Sequence, residues 1–227
     1  MAELLRYATP LEIYATSDAA ARNADILGSH QVQFVSERAA AAISDTVTPQ
    51  GLIAVASFLE TDLETGLALA PALVAVLVDP SDPGNVGTVI RLADAAGADA
   101  VVLAGDSVDP HNGKCVRAAA GSHFHLPVLT DRSVERTIQA LKQRGLRIVA
   151  ADGTGALDLA KEQRGGRLSR PTAWVFGNEA HGLDERILSL VDDVVRIPIY
   201  GKAESLNLAS AAAVCLYASA NATRIVT

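Results

Sequence analysis

From residue 72 onward, short apolar runs without polar alternation lie between stretches of helical spacing. The runs are Leu73–Val78, Ala100–Leu103, Leu126–Leu129, Leu146–Ala150, Ala173–Phe176 and Val194–Ile197. A strand with one wet face alternates apolar and polar residues. A run of Val, Ile and Leu without alternation must instead be covered on both faces. Helical stretches at 86–96, 111–120, 132–144, 184–190 and 206–220 can supply that cover. Strands alternating with helices imply an α/β fold with a mostly parallel sheet. Ala, Val and Leu must fill its core, because hydrophobic residues are 49% of the 227 but aromatics only 4%.

The first part of the chain has shorter elements. Leu11–Thr16 reads as extended, 17–26 as an Ala-rich helix, Val32–Val35 as a strand, Glu37–Ile43 as a helix and Leu52–Ala56 as a strand. This predicts a small α/β domain over 1–60, a linker over 61–71 with turn-forming residues and no strong period, and a main domain over 72–227. No run approaches the roughly 18 apolar residues of a membrane span, and the start lacks a secretory pattern. Cys115 and Cys215 lie far apart and outside any CxxC pair, so neither a disulfide nor a metal site is expected, and a cytoplasmic setting is. The net charge of −7 runs against nucleic acid as a partner. Arginines cluster at 132–147 and 164–170, however, and local distribution decides more than the sum.

Open α/β sheets bind ligands beyond the carboxyl ends of their strands, and three loops there carry unusual residues. In Asp79–Arg91, two prolines and Gly84 force a sharp exit from the strand, Asn85 can cap the next helix, and Arg91 points away from its apolar arc. Taken alone, these are equally an ordinary cap and a solvated charge. In Val175–Leu183, Gly177 permits close backbone approach, and Asn178 and Glu179 reach the rim. An ordinary turn, with Glu179 favouring a helix N-terminus, is the bland alternative. In Ile197–Val214, Ser205 and Asn207 begin a helix that is apolar nearly all round. Ser205 reads as a cap, whereas Asn207 in a first turn is a poor helix former.

Other motifs fall away. Gly153 and Gly155 lack the third glycine of a dinucleotide fingerprint, and no phosphate-cradling loop precedes Lys114. His123 and His125 lack a Cys or carboxylate at metal spacing and read as a strand-edge pair. Asp152 and Asp158 read as turn and cap residues.

Together the three loops resemble the signature motifs of the SpoU–TrmH family of RNA methyltransferases. Asn85, Gly87 and Arg91 match its Asn-x-Gly-x-x-x-Arg; Gly177, Asn178, Glu179 and Gly182 match Gly-Asn-Glu-x-x-Gly; Ser205, Leu206 and Asn207 match Ser-Leu-Asn. Order and spacing agree across roughly 72–220, and residues 11–56, ending in Val47–Val55, look like the family's small substrate-binding domain. Many members begin with a basic stretch and a Glu-Gly strand that this sequence lacks, so either the sequence is shortened at its start or its RNA-binding domain is incomplete.

The resemblance implies a SPOUT fold with a C-terminal trefoil knot, a homodimer, and S-adenosylmethionine as cofactor. It implies that main chain near Ala151 and Gly153, at Gly177, at Ile197 and at Leu206 holds that cofactor. The implied reaction is methylation of a ribose 2′-hydroxyl, in ribosomal RNA before transfer RNA. Arg91 is the implied catalytic residue and an RNA contact; because a guanidinium stays protonated, its role is to grip phosphate and stabilise the developing alkoxide. Asn85, Glu179, Ser205 and Asn207 would shape the pocket around the ribose, with Arg117 a further RNA contact. A base methyltransferase on the same knot, or a catalytically silent RNA-binding protein, are the competing readings.

Overall fold

The computed structural model describes residues 1–225 except Asp45, Val47 and Glu60, and only the backbone of Arg224 and Ile225. The first residue of the Val47–Val55 motif, residue 60 and the chain's end at 226–227 therefore lie outside the described residues.

Met1–Leu59 form one unit. Its elements are α1 (Ala2–Tyr7), β1 (Glu12–Ala15), α2 (Ser17–Arg22), α3 (Ala24–Leu27), β2 (Gln33–Phe34), α4 (Glu37–Ile43) and β3 (Leu52–Val55). The sheet order is β2-β1-β3, with β1 parallel to β2 and antiparallel to β3. The Thr16 and Ser36 side chains cap α2 and α4 by accepting from Ala19 and Ala39 N–H. Two expectations change here. The helix over 17–26 is two pieces, because the Asn23 side chain donates to the Ala19 carbonyl and ends α2. The strand over Val32–Val35 shrinks to Gln33–Phe34. Helix α1 has no counterpart in the sequence reading, since one buried residue, Leu4, makes no period.

Glu60–Thr227 form the second unit. It runs α5 (Leu63–Gly66), β4 (Leu73–Val78), α6 (Pro83–Ala96), β5 (Ala100–Ala104), α7 (Gly113–Ala119), β6 (Val128–Asp131), α8 (Val134–Gln143), β7 (Arg147–Ala151), β8 (Leu157–Asp158), α9 (Leu159–Arg164), β9 (Thr172–Phe176), α10 (Glu185–Leu188), β10 (Asp193–Arg196) and α11 (Leu208–Ile225). The order is β6-β5-β4-β9-β7-β10-β8, and every strand pairing is parallel. Residues of β4, β5 and β9 are buried at every position. Leu73, Ala75 and Leu77 join α6, α7 and α11 in one core, while Val74, Val76 and Val78 join α8 and α10 in another. Successive residues thus feed opposite faces, which is why these runs do not alternate.

Several boundaries move for local reasons. The strand expected over Leu126–Leu129 lies at Val128–Asp131, because Pro127 has no N–H to give a ladder. The strand over Val194–Ile197 lies one residue earlier. Helix α8 starts at Val134, where Ser133 accepts from Arg136 N–H. The stretches over 111–120 and 184–190 contract to α7 and α10. The stretch 61–71, read as a linker, carries α5. Leu63 and Leu67 are buried in the second core, and the Arg144 guanidinium holds the carbonyls of Glu64, Leu67 and Ala68. His123 and His125 are not a strand edge: His123 lies in a 3-10 turn and shares a hydrogen bond with the Pro110 carbonyl at 3.0 Å, while His125 pairs with Asp94 at 2.7 Å.

Helix α11 is tied to the sheet by the chain's single tryptophan, whose indole N–H donates to Ser219 Oγ at 2.9 Å inside the core. Helices α6 and α7 approach closely at Gly87, where a Cβ would collide with the Cys115 carbonyl oxygen and crowd Ala118 and Ala119. Gly87→Ala should therefore cost about 1–3 kcal/mol, the scale of an overpacked core. Thermal unfolding of the variant measures it, and an unchanged melting temperature would contradict this packing.

Candidate functional site

Strands β4 and β9 are neighbours in register, with Leu77 opposite Phe176, so their carboxyl ends deliver the first two motif loops side by side. After β4 the chain turns at Asp79, a non-glycine residue at φ +49. Its carboxylate accepts from Asp106 N–H at 2.6 Å, and its carbonyl accepts from the Asn178 side-chain amide at 2.6 Å. The loops after β4, β5 and β9 are thereby joined through one residue held in an unusual backbone conformation.

Asp82, not Asn85, caps α6. Its Oδ1 accepts from the N–H of Gly84 and Asn85, with Pro83 in the first turn. An Asp before a Pro is the usual start of a helix, and that signal lay in the sequence. Freed from capping, the Asn85 side chain turns outward. Its Nδ2 donates to Glu179 Oε1 at 3.1 Å, and its Oδ1 accepts from Asn207 Nδ2 at 3.1 Å.

The second loop is shaped by a bridge between Asn178 and Gly182. A Cβ on Gly177 would collide with the backbone of Gly182, so glycine is required by the loop's own fold. Glu179 does not sit at a helix start; Asp184 caps α10 by accepting from Ile187 N–H at 2.7 Å. Glu179 instead faces the first loop, where Ser81 Oγ donates to its Oε2 at 3.0 Å and Ser81 N–H at 3.3 Å. Ser81 was invisible to sequence reasoning, since a serine in a polar loop has no pattern.

The third loop meets the others through Asn207. This residue is the cap of α11 and not part of its first turn: its Oδ1 accepts from Ala209 N–H at 2.9 Å and its carbonyl from Ala211 N–H. Its amide nitrogen then remains free for Asn85. Ser81, Glu179, Asn85 and Asn207 form a continuous chain of hydrogen bonds across residues up to 122 positions apart. Partial burial pushes the Glu179 pKa up, but the hydrogen bonds from Asn85, from its own N–H and from Ser81 outweigh that and hold the carboxyl below the usual glutamate range.

Beside this chain lies a cavity of about 130 Å³ lined by Ala151, Asp152, Gly153, Ile197, Ile199, Glu204, Ser205, Leu206 and Ala211. It gathers Ala151, Gly153, Ile197 and Leu206 from the residues singled out in the sequence; Gly177 does not line it. Ser205 opens onto it without capping α11. Arg91 is exposed on α6, with no hydrogen bond or ion pair among the described residues, and Arg117 is exposed on α7. Both thiols are buried, Cys115 pushed up to about 12 and Cys215 higher still by desolvation, so neither can serve as a nucleophile near neutral pH. Asp152 and Asp158 are turn and cap residues, accepting from Thr154 and from Ala160 and Lys161 N–H.

Residues 72–217 match the SpoU rRNA Methylase family. The chain is 42% identical over 188 residues to the 23S rRNA (guanosine(2553)-2′-O)-methyltransferase RlmP of Bacillus subtilis, covering 82% of this chain and 71% of that one. It is 37% identical to the 23S rRNA (guanosine-2′-O-)-methyltransferase RlmB of Bordetella pertussis, over 75% of this chain and 69% of that one. Among solved structures, the SpoU methyltransferase AviRb from Streptomyces viridochromogenes in complex with AdoMet aligns with a TM-score of 0.84 at 26% identity, covering 99% of this chain and 87% of that one.

A carboxyl whose folded pKa is depressed adds stability above its unfolded pKa and loses that contribution as pH falls through the folded value. Carboxyl-carbon NMR should place the Glu179 midpoint below that of free glutamate, and Asn85→Ala should raise it. A midpoint at or above the free value in the native chain would show that the hydrogen-bond chain does not form in solution.

Proposed function

The chain belongs to the SpoU rRNA methylase family, and on that premise we propose that it is an S-adenosylmethionine-dependent enzyme that methylates a ribose 2′-hydroxyl in 23S ribosomal RNA, acting in the cytoplasm. The observation that carries this reading is the hydrogen-bond chain Ser81–Glu179–Asn85–Asn207, which draws all three motif loops together beside one cavity.

The residues at that cavity suit the cofactor. Ala151, Ile197 and Leu206 offer apolar surface, Gly153 has open space where a Cβ would stand, and the carboxylates of Asp152 and Glu204 favour a cation. S-adenosylmethionine supplies an electrophilic methyl group on a positively charged sulfur. The chain's own residues then have to place the ribose oxygen and stabilise it. Asn85 is fixed from both sides, by Glu179 and by Asn207, so its position is set before RNA arrives. Glu179 stays ionised with its oxygens engaged by Ser81 and Asn85, which makes it an orienting group and a poor proton acceptor. Arg91 carries a permanent charge and has no acidic partner among the described residues. It is therefore available to a phosphate and to the negative charge that grows on the ribose oxygen as its proton leaves.

Finer features of the same reading concern architecture. A trefoil knot made by the C-terminal segment is supported by β10 lying between β7 and β8, followed by α11 packed against α6. A homodimer through α11 is supported by Val214 and Tyr217, large apolar side chains each 41% exposed on a helix whose Leu208 and Leu216 are buried. The residues 1–60 would serve as the small substrate-binding domain, with Arg117 a further RNA contact.

Methyl transfer and oligomeric state test the proposal. With 23S rRNA and S-adenosylmethionine, the native chain should transfer methyl to a ribose. Arg91→Ala should lower transfer roughly a hundredfold or more, the scale of a lost electrostatic stabiliser. It should leave cofactor affinity intact and shift stability by less than about 0.5 kcal/mol. Arg91→Lys should recover little, since an ammonium lacks the planar fork. Near-normal transfer by Arg91→Ala would remove this arginine from the mechanism, and no transfer by the native chain would leave an RNA-binding protein without catalysis. For the dimer, light scattering should give twice the chain mass, reduced to one chain by Tyr217→Glu; a native monomer with full activity would contradict it.

A further inference from the structure

A second cavity is larger and chemically different from the one lined by Ala151, Gly153, Ile197 and Leu206. It measures about 600 Å³ and lies over the carboxyl ends of β5 and β6, lined by residues that include Asp106, Ser107, Thr130, Asp131, Arg132 and Arg136. This volume falls in the range of about 300–1,000 Å³ usual for sites that hold a ligand. Hydrogen bonds tie it to the motif loops: Asp106 N–H donates to the carboxylate of Asp79, and the Asp79 carbonyl holds the Asn178 side chain.

Two of its charges are already spent on each other. Arg136 grips the buried Asp131 carboxylate with Nε at 2.7 Å and Nη2 at 2.8 Å, so this pair is scaffold. Arg132 and Asp106 are exposed, and no hydrogen bond or ion pair among the described residues engages either side chain. A free cation and a free carboxylate at one cavity, which Ser107 and Thr130 also line, suit a ligand that carries both an anion and N–H donors. A bare phosphate does not, because Asp106 would repel it. A nucleotide does.

We propose that this cavity is a subsite for one unpaired nucleotide of the substrate RNA flanking the methylated residue, with Arg132 on its phosphate and Asp106 accepting from the base. Guanine fits best, since its pairing edge presents neighbouring N–H donors to a single carboxylate, and unpaired bases are read on that edge. The proposal rests on the RNA methyltransferase reading and extends it: the arginine cluster that begins at residue 132 gains a role, and an acidic residue becomes an RNA contact in an acidic chain.

The test uses the full chain and transcribed 23S rRNA, with binding and methyl transfer measured separately on Arg132→Ala, Asp106→Ala and Asp106→Asn. Arg132→Ala should weaken RNA binding about tenfold, as loss of one such contact does, and reduce the slope of log affinity against log salt by about one. Its melting temperature should hold, and the loss of methyl transfer should lie in KM more than in kcat. Asp106→Ala is the sharper variant. If the carboxylate only adds negative charge, removing it strengthens RNA binding; if it accepts from a base, removing it weakens binding, and Asp106→Asn recovers little because an amide has one acceptor oxygen. Unchanged or tighter binding by Asp106→Ala, or unchanged binding by Arg132→Ala, overturns the subsite. If the native chain transfers methyl in that case, the enzyme reading stands without it. If both variants weaken binding but the native chain transfers no methyl, the subsite stands and the enzyme reading falls.

Discussion

The parallel pairing of β4 with β9 is the constraint on which the site depends. These strands are buried on both faces and separated by roughly a hundred residues of chain, yet Leu77 lies opposite Phe176. One residue beyond each, the loops that bear Asn85 and Glu179 emerge together, and the Asn178 side chain closes onto the Asp79 carbonyl. This is also where the strand order leaves the β6-β5-β4 series for β9 and β7. Loops diverge at such a point and open a crevice, and ligands in open α/β sheets are found there. The third loop is held in place by α11. The Trp174 hydrogen bond to Ser219 fixes that helix against the same strand, β9, whose end carries Glu179.

Electrostatics in this unit are arranged locally and not by net charge. Several arginines have acidic partners: Arg136 with Asp131, Arg186 with Glu135, and Arg147 and Arg167 with the buried Glu162. The last group holds α9 against the start of β7 and keeps a fully buried carboxylate ionised, with Arg167 as its stronger support. Arg91 and Arg132 differ from these by having no acidic partner among the described residues. An overall charge of −7 therefore says little about the face presented to RNA.

Much of the fold was legible because burial leaves a direct mark on composition. The unalternating runs required a two-sided core, and the observed split of odd and even residues of β4 between two clusters is that requirement realised. Errors concentrated where the deciding group was one atom. Pro127 moved a strand boundary by lacking an N–H, and Asp82 took the capping role assigned to Asn85. Helix α5 went unread because its four residues bury Leu63 against β6 and α8, elements far along the chain. In the site, residue types at motif spacing pointed to Asn85, Glu179 and Asn207, but not to Ser81, whose hydroxyl matters only because a carboxylate folds over it.

The sequence by itself determined the class of fold, the three loops that matter and the residues they carry, since periodicity and motif spacing are local properties of the chain. Only the tertiary structure decided what those residues do to one another. Asn85 and Asn207 could each have been nothing but a helix cap. Asp82 relieves Asn85 of that task, whereas Asn207 caps α11 with its oxygen and keeps its nitrogen for Asn85. No local pattern encodes that division, because a hydrogen bond between side chains 122 residues apart exists only once the sheet has placed both strand ends on one rim.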